Sequence, residues 1–220
     1  MRRTAVITLY RKEWRGDAGV LAAMVVVLLL VRIVAWGLSL SPHAPEAALC
    51  LMAAMIGARL FAGERETGTH AFLMGLPVPA AEVWRAKLVG GLSALVALYV
   101  VTYAPAGTSL PGADHSYIFT PYTLCSAPIT FLCMALLASS FLDNTMLAFV
   151  AGVVFGYTYL MSVTVGTQLI AILLFGREPI SGRGDVGMLL LVSVLYVVFS
   201  APCLYASRLI FNIRCRESRG

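Results

Sequence analysis

The sequence predicts an all-α integral membrane protein, and three observations carry the prediction. The 220 residues are 60% hydrophobic, with a mean hydropathy of +0.86, whereas a soluble domain is nearer half apolar. Only 12% of the residues are charged, against about a quarter in soluble proteins, so there is too little polar surface to cover a water-soluble globule. The apolar residues also come in long runs separated by turn formers and bases, as in helices that satisfy their backbone internally while crossing a bilayer. The net charge of +5 does not point to nucleic acid, because most bases flank the apolar runs.

Taken in order, residues 1–17 read as an interfacial helix. Val6, Ile7, Tyr10 and Trp14 fall at helical spacing, and Arg3, Arg11, Lys12 and Arg15 supply a polar side suited to the lipid headgroups. Gly16-Asp17 is expected to break or cap this helix. Six transmembrane helices follow, at about Ala18–Leu40, Ala47–Ala62, Ala86–Ala106, Tyr122–Phe141, Met146–Gly166 and Val186–Ala206. The second is short and is expected to borrow Glu46 and Gly63 at its ends. Ser41-Pro42 with Pro45, the Pro105–Gly112 segment, Asp143-Asn144 and the Gly176–Gly184 segment supply the breaks. The whole chain, 1–220, is one transmembrane domain with a tail at 207–220.

The bases orient it. Thirteen lie in the N-terminal segment, the Arg59–Leu88 loop and the C-terminal tail, while the opposite loops hold only Arg177 and Arg183. By the positive-inside rule both termini and the Arg59–Leu88 loop face the cytoplasm.

Three features inside the membrane stand out. Arg32 lies about 12 Å from the outer end of the first span. It is a possible intramembrane functional charge, or a side chain that snorkels to the outer headgroups. Ala148, Gly152 and Gly156 form a small-residue ridge on the fifth span, for dimer or helix packing within one chain or between two. Residues 167–185 read as an outer re-entrant segment, with a long tilted fifth helix as the alternative. Asp143-Asn144 is placed to cap the fifth span.

Catalytic and nucleotide motifs are missing. No GxxxxGK occurs, so any ATP and Mg are used by a partner subunit, and the chain itself is expected to bind no cofactor. Asp114-His115-Ser116 are sequence neighbours that cannot converge on one reacting atom. His43, His70 and His115 lack metal-ligand spacing, and Cys50, Cys125, Cys133, Cys203 and Cys215 form no CxxC pair. An intramembrane enzyme therefore ranks below a transport subunit or a scaffold. Tyr99, Tyr103, Tyr157, Thr158, Tyr159 and Gln168 are the polar handles of the span interiors.

The Arg59–Leu88 stretch holds seven of the 27 charged side chains. Glu64, Glu66 and Thr67 are read as preceding a short helix from about Gly68 or Thr69, where acids complement its N-terminal N–H groups. Phe72, Leu73 and Leu76 give that helix an apolar face, and Pro77 and Pro79 stop it.

At these residues the chain resembles the membrane subunits of type-2 ABC exporters. The resemblance rests on Glu–x–x–x–Gly–Thr (Glu64 to Thr69), on Leu76-Pro77-Val78 and on Lys87 at the start of the third span. It implies a permease that pairs with a second permease chain, identical or related, in the cytoplasmic (inner) membrane. It also implies a cytoplasmic coupling helix between the second and third spans, docking onto an ABC ATPase subunit through segment 64–80. Glu64, Gly68, Thr69 and Phe72, with Arg65, Glu66, Leu76 and Pro77 beside them, are the coupling residues implied. Pro79-Ala80 stands where that family often has Ser/Thr then Arg. The haem-handling permease of cytochrome c maturation is similar in length and layout, and a membrane scaffold recruiting a cytoplasmic partner is a further reading. Membrane lipid is the remaining partner, with no nucleic acid.

Overall fold

The computed structural model describes residues 2–38, 44–69, 78–103, 121–175 and 186–217. These residues are helical apart from short turns, with no strand among them. α1 is Arg2–Gly37, α2 is Ala44–Ala58, α3 is Ala80–Tyr103, α4 is Pro121–Phe141, α5 is Thr145–Phe175 and α6 is Val186–Glu217. Among the described residues, four stretches are long and apolar enough to cross a membrane: Ala18–Ala35, Ala44–Glu66, Ala80–Thr102 and Thr145–Val163.

The boundaries differ from the sequence expectation in three places. Gly16-Asp17 does not interrupt α1, which is continuous over 36 residues. A single glycine costs a helix only about 1 kcal/mol relative to alanine, too little to break a helix that is otherwise rich in good formers. The second span is longer than expected. After Ala58 the chain passes through a π-helical segment, Arg59–Gly63, into a last α-turn, Glu64–Glu66. The wider turn re-aims the following side chains while the helix stays unbroken. Residues 167–175 complete α5 as one 31-residue helix, so they do not turn back into the outer leaflet. No proline or glycine interrupts that stretch, and it matches the long fifth helix weighed as the alternative. Residues 176–185 lie outside the described residues.

α4 is the central helix, packed against α2, α5 and α6. Close approach is possible because the neighbouring helices present glycine. A Cβ on Gly57 of α2 would stand 2.5 Å from the Leu132 carbonyl oxygen, and one on Gly152 of α5 would stand 2.5 Å from the Ala135 Cβ. A Cβ on Gly156 would meet the Phe131 ring at 3.0 Å, and Ala148 is fully buried. The Ala148–Gly152–Gly156 ridge thus faces α4 within the same chain. Dispersion over such close contacts is the main attraction available between helices in lipid. On the outside, Val26, Leu30 and Ile33 of α1 and Met146, Val150 and Val154 of α5 are exposed apolar side chains, as lipid-facing surfaces are.

Replacing Gly152 by Leu should overpack the α4–α5 contact and destabilise the bundle by about 1–3 kcal/mol. Gly166→Ala, where an added Cβ meets nothing within 4 Å, should be neutral or mildly stabilising. Thermal unfolding of the two variants in detergent compares them directly.

Candidate functional site

Three consecutive charged residues, Glu64, Arg65 and Glu66, sit on the last turn of the α2 run, and each reaches a different helix. Glu64 Oε1 is 2.7 Å from Lys87 Nζ in the second turn of α3. The lysine side chain is 0% exposed and the glutamate 15%. Phe61 lies under the ammonium with its ring centroid 5.7 Å away, and stacks on Phe211 of α6 at 4.6 Å. An ion pair so enclosed is poorly screened by salt, and each partner is the main compensation for desolvating the other.

Arg65 reaches the end of α4. Its Nη2 donates to the Ser139 and Ser140 carbonyls at 2.7 and 3.2 Å, and its Nη1 to the Leu142 carbonyl at 3.3 Å and to Asp143 Oδ1 at 2.7 Å. The last carbonyls of a helix have no partner within it and carry the negative end of its dipole, so a guanidinium fork suits them. Arg214 of α6 approaches from another side, donating to the Phe141 carbonyl at 2.7 Å and to Asp143 Oδ1 at 2.9 Å. Glu66 reaches α5. Its Oε2 accepts the Thr145 backbone N–H at 3.2 Å, while Asn144 Oδ1 accepts from the Leu147 N–H at 3.0 Å as an N-cap. Of the expected Asp143-Asn144 cap, then, Asn144 does the capping and Asp143 joins the two arginines.

A second set of contacts lies close by. Trp84 Nε1 of α3 donates to Ser207 Oγ of α6 at 3.3 Å, and Ser207 shares a 2.8 Å hydrogen bond with Ser140 of α4. These groups are buried, and they join α3, α4 and α6 at the same end of the bundle as the Glu64–Glu66 turn.

Gly68 stops the helix. Its φ is +73°, a left-handed conformation that glycine adopts without Cβ strain. The Gly68 N–H donates to the Arg65 carbonyl at 3.1 Å and the Thr67 N–H to the Gly63 carbonyl at 3.1 Å, closing the end in the usual manner of a glycine terminator. Thr67 Oγ1 donates to the Gly63 carbonyl at 2.9 Å, and Thr69 Oγ1 to the Glu64 carbonyl at 3.4 Å. Glu64 and Glu66 form the last turn of one helix and precede the next helical residue, Thr69; the dipole disfavours acids at that helix end, and Lys87 and the α5 N-terminus offset that cost. In Glu–x–x–x–Gly–Thr the acid seats the lysine, the glycine turns the chain and the threonine satisfies a terminal carbonyl. Phe72, Leu76 and Pro77 lie outside the described residues. Val78 packs beside the Phe61, Trp84 and Phe211 cluster.

Arg32 lies at the other end. Its Nη1 donates to the Thr102 carbonyl in the last turn of α3 at 2.8 Å. It thereby ties α1 to α3 through a terminal carbonyl rather than meeting an acid there. Among the described residues no group of three or more His, Cys, Asp or Glu could hold a metal ion. Lys87, Trp84, Asp143, Ser207 and Arg214 belong to the site though the spacing of residues singles out none of their pairings. Lys87 was marked only by the resemblance.

The class this defines is an all-helical membrane protein in which one loop-proximal turn is bonded to three neighbouring helices. The description "ABC-2 family transporter protein" matches residues 39–207, most of the chain, and the protein belongs to that family. It is an integral membrane component of an ABC transporter, a permease subunit and not itself catalytic. Comparisons with curated proteins and with solved structures find no match.

Lys87→Met leaves the Glu64 carboxylate enclosed without its cation and should cost about 3–5 kcal/mol of stability. Adding Glu64→Gln should recover most of that loss in a double-mutant thermal-unfolding cycle. Asp143 supplies a pH test. Hydrogen bonding from Arg65, then from Arg214, together with their charges, holds its carboxyl below the usual carboxylate range. A depressed folded value means the contribution is full above the ordinary Asp value of about 3.9 and is lost as pH falls through the lower folded value. Asp143→Asn should therefore lower the melting temperature at neutral pH, by an amount matching about 1 kcal/mol or less for so exposed a group. The difference from the parent should close in melts taken below about pH 4.

Proposed function

We propose that this chain is the permease half of an ABC exporter, docking onto a separate ATPase through residues 64–80 and carrying ATP-driven motion into its helices. The observation that carries the reading is the bonding of Glu64, Arg65 and Glu66 to α3, α4 and α5. A displacement applied to the segment that leaves Gly68 pulls on three helices at once. Packed helices with such ties shift as bodies rather than deform.

The remaining parts follow from sequence and family. α1 to α6 are six spans, with the basic first seventeen residues at the inner headgroup layer. Thirteen bases against two put the Glu64 end and both termini in the cytoplasm. Two such chains, identical or related, enclose the path in the inner membrane, and the partner ATPase supplies the ATP and Mg chemistry. Phe72, Leu76 and Pro77 form the apolar tip that meets it.

Co-purification of this chain with a P-loop ATPase from its host tests the proposal. Phe72→Ala should lower transport-coupled ATP hydrolysis about tenfold, the loss of one well-buried aromatic anchor, while membrane insertion stays intact. Unchanged coupled hydrolysis would count against docking through this segment, and a co-purifying partner without a P-loop would favour a static scaffold.

A further inference from the structure

The contact between α4 and α6 carries a group of sulfur atoms with no part in the Glu64–Glu66 turn. Cys203 Sγ of α6 donates to Met134 Sδ of α4 at 3.7 Å. Cys133 precedes Met134 on α4, is 2% exposed, and is close enough to the Cys203 thiol for the two to interact electrostatically. Met134 and Cys203 are only partly buried, so the pair is open on one side. Two other thiols have different surroundings. Cys50 packs against the core that holds Leu49 and Met52, and Cys215 lies with Phe61, Trp84 and Phe211. Among the described residues, Cys133, Met134 and Cys203 belong to neither cluster.

Along the same seam α4 and α6 otherwise meet through oxygen. Thr130 and Ser200 share a 3.4 Å hydrogen bond on one side of the sulfur pair, and Ser140 and Ser207 a 2.8 Å one on the other. Sulfur thus replaces hydroxyl at one level of a polar seam, and the donor set decides what it suits. Thiolate and thioether ligands are soft and select Cu(I) over harder ions. Structural zinc instead takes four Cys, His or carboxylate ligands, and no group of three or more His, Cys, Asp or Glu forms among the described residues.

Spacing, charge and access agree with a soft monovalent ion. Two sulfurs each about 2.3 Å from one metal stand about 3.8–4.0 Å apart in tetrahedral or trigonal geometry, so the observed 3.7 Å needs to open by only a few tenths of an ångström. The entering ion displaces the Cys203 thiol proton, which leaves to water. A monocation, one thiolate and a neutral thioether carry no net charge, the state an apolar environment tolerates best. Ser207, at the Glu64–Glu66 end of the bundle, is four residues beyond Cys203, about 6 Å at the helical rise, so the path from that end is short. We propose that Cys203 and Met134, with Cys133 beside them, form a binding site for one Cu(I) ion that bridges α4 and α6. The site stands apart from the segment at 64–80 and does not depend on what docks there.

The test uses the full chain purified in detergent under reducing, anaerobic conditions. It is titrated with Cu(I) against bathocuproine disulfonate, a chromophoric Cu(I) chelator, and the metal retained is counted per chain. The parent should retain one Cu(I), with a copper X-ray absorption spectrum of sulfur neighbours at about 2.3 Å. Cys203→Ser should abolish retention. Met134→Leu and Cys133→Ala should each weaken it about tenfold or more, the loss seen even for groups that only support a metal ligand. Cys50→Ser and Cys215→Ser should retain the ion as the parent does. Should Cys203→Ser fail to insert, Cys203→Ala carries the same expectation. No retained Cu(I), a first shell of nitrogen or oxygen, or undiminished retention in the Cys203 or Met134 variants would overturn the proposal. So would an equal loss in Cys50→Ser or Cys215→Ser, which would mark binding to thiols in general.

Discussion

An enclosed ammonium and carboxylate 2.7 Å apart, Lys87 and Glu64, set the geometry on which the loop end of the bundle depends. Neither group is tolerable there alone, since an unpaired charge away from water costs several kcal/mol. The end of the α2 run and the start of α3 must therefore arrive together. The Phe61 ring beneath the lysine and its stack on Phe211 extend that requirement to α6. The turn also places Arg65 and Glu66 where they can reach α4 and α5. One ion pair and two flanking charges thus hold positions contributed by most of the chain.

The central helix shows how the same end is made compatible with the membrane. α4 terminates among Ser139, Ser140, Phe141 and Leu142, whose carbonyls receive Arg65 and Arg214. The last carbonyls of a helix lack intrahelical partners, so the arginines act as caps as much as charges. Arg32 does the same for α3 at the opposite end. Above the caps, Gly57 and Gly152 let α2 and α5 both approach the Leu132–Ala135 region of α4 closely. The bundle is thus a close-packed middle with charged clasps at its ends.

Much of this was legible in the residues alone. Hydropathy and the sparse charge define a helical membrane protein, because lipid leaves the backbone few alternatives. The family match over residues 39–207 agrees with the resemblance read at Glu–x–x–x–Gly–Thr and Leu76-Pro77. Helix ends were harder. Gly16-Asp17 looked like a break, the second span looked short, and residues 167–175 read as re-entrant with a long fifth helix as the alternative, which is the one observed. Local breakers weigh only about 1 kcal/mol each, and the packing of whole helices outweighs them. Glu64 and Glu66 were read as preceding a helix because acids favour N-termini, and they also form the last turn of another. Their actual partners, Lys87 and Thr145, are 23 and 79 residues away, beyond the reach of any local rule.

The sequence by itself determined what can be decided residue by residue against the solvent: membrane class, the placement of bases, the absence of nucleotide motifs and the identity of the charged segment. Only the tertiary structure decided which charges meet, that the glycine ridge of α5 faces α4, and that Arg32 serves a carbonyl. The physical reason is one of range. Transfer into lipid and turn chemistry act on neighbours in the chain. Ion pairs, helix caps and glycine contacts act across a few ångströms of space between residues that only folding brings together.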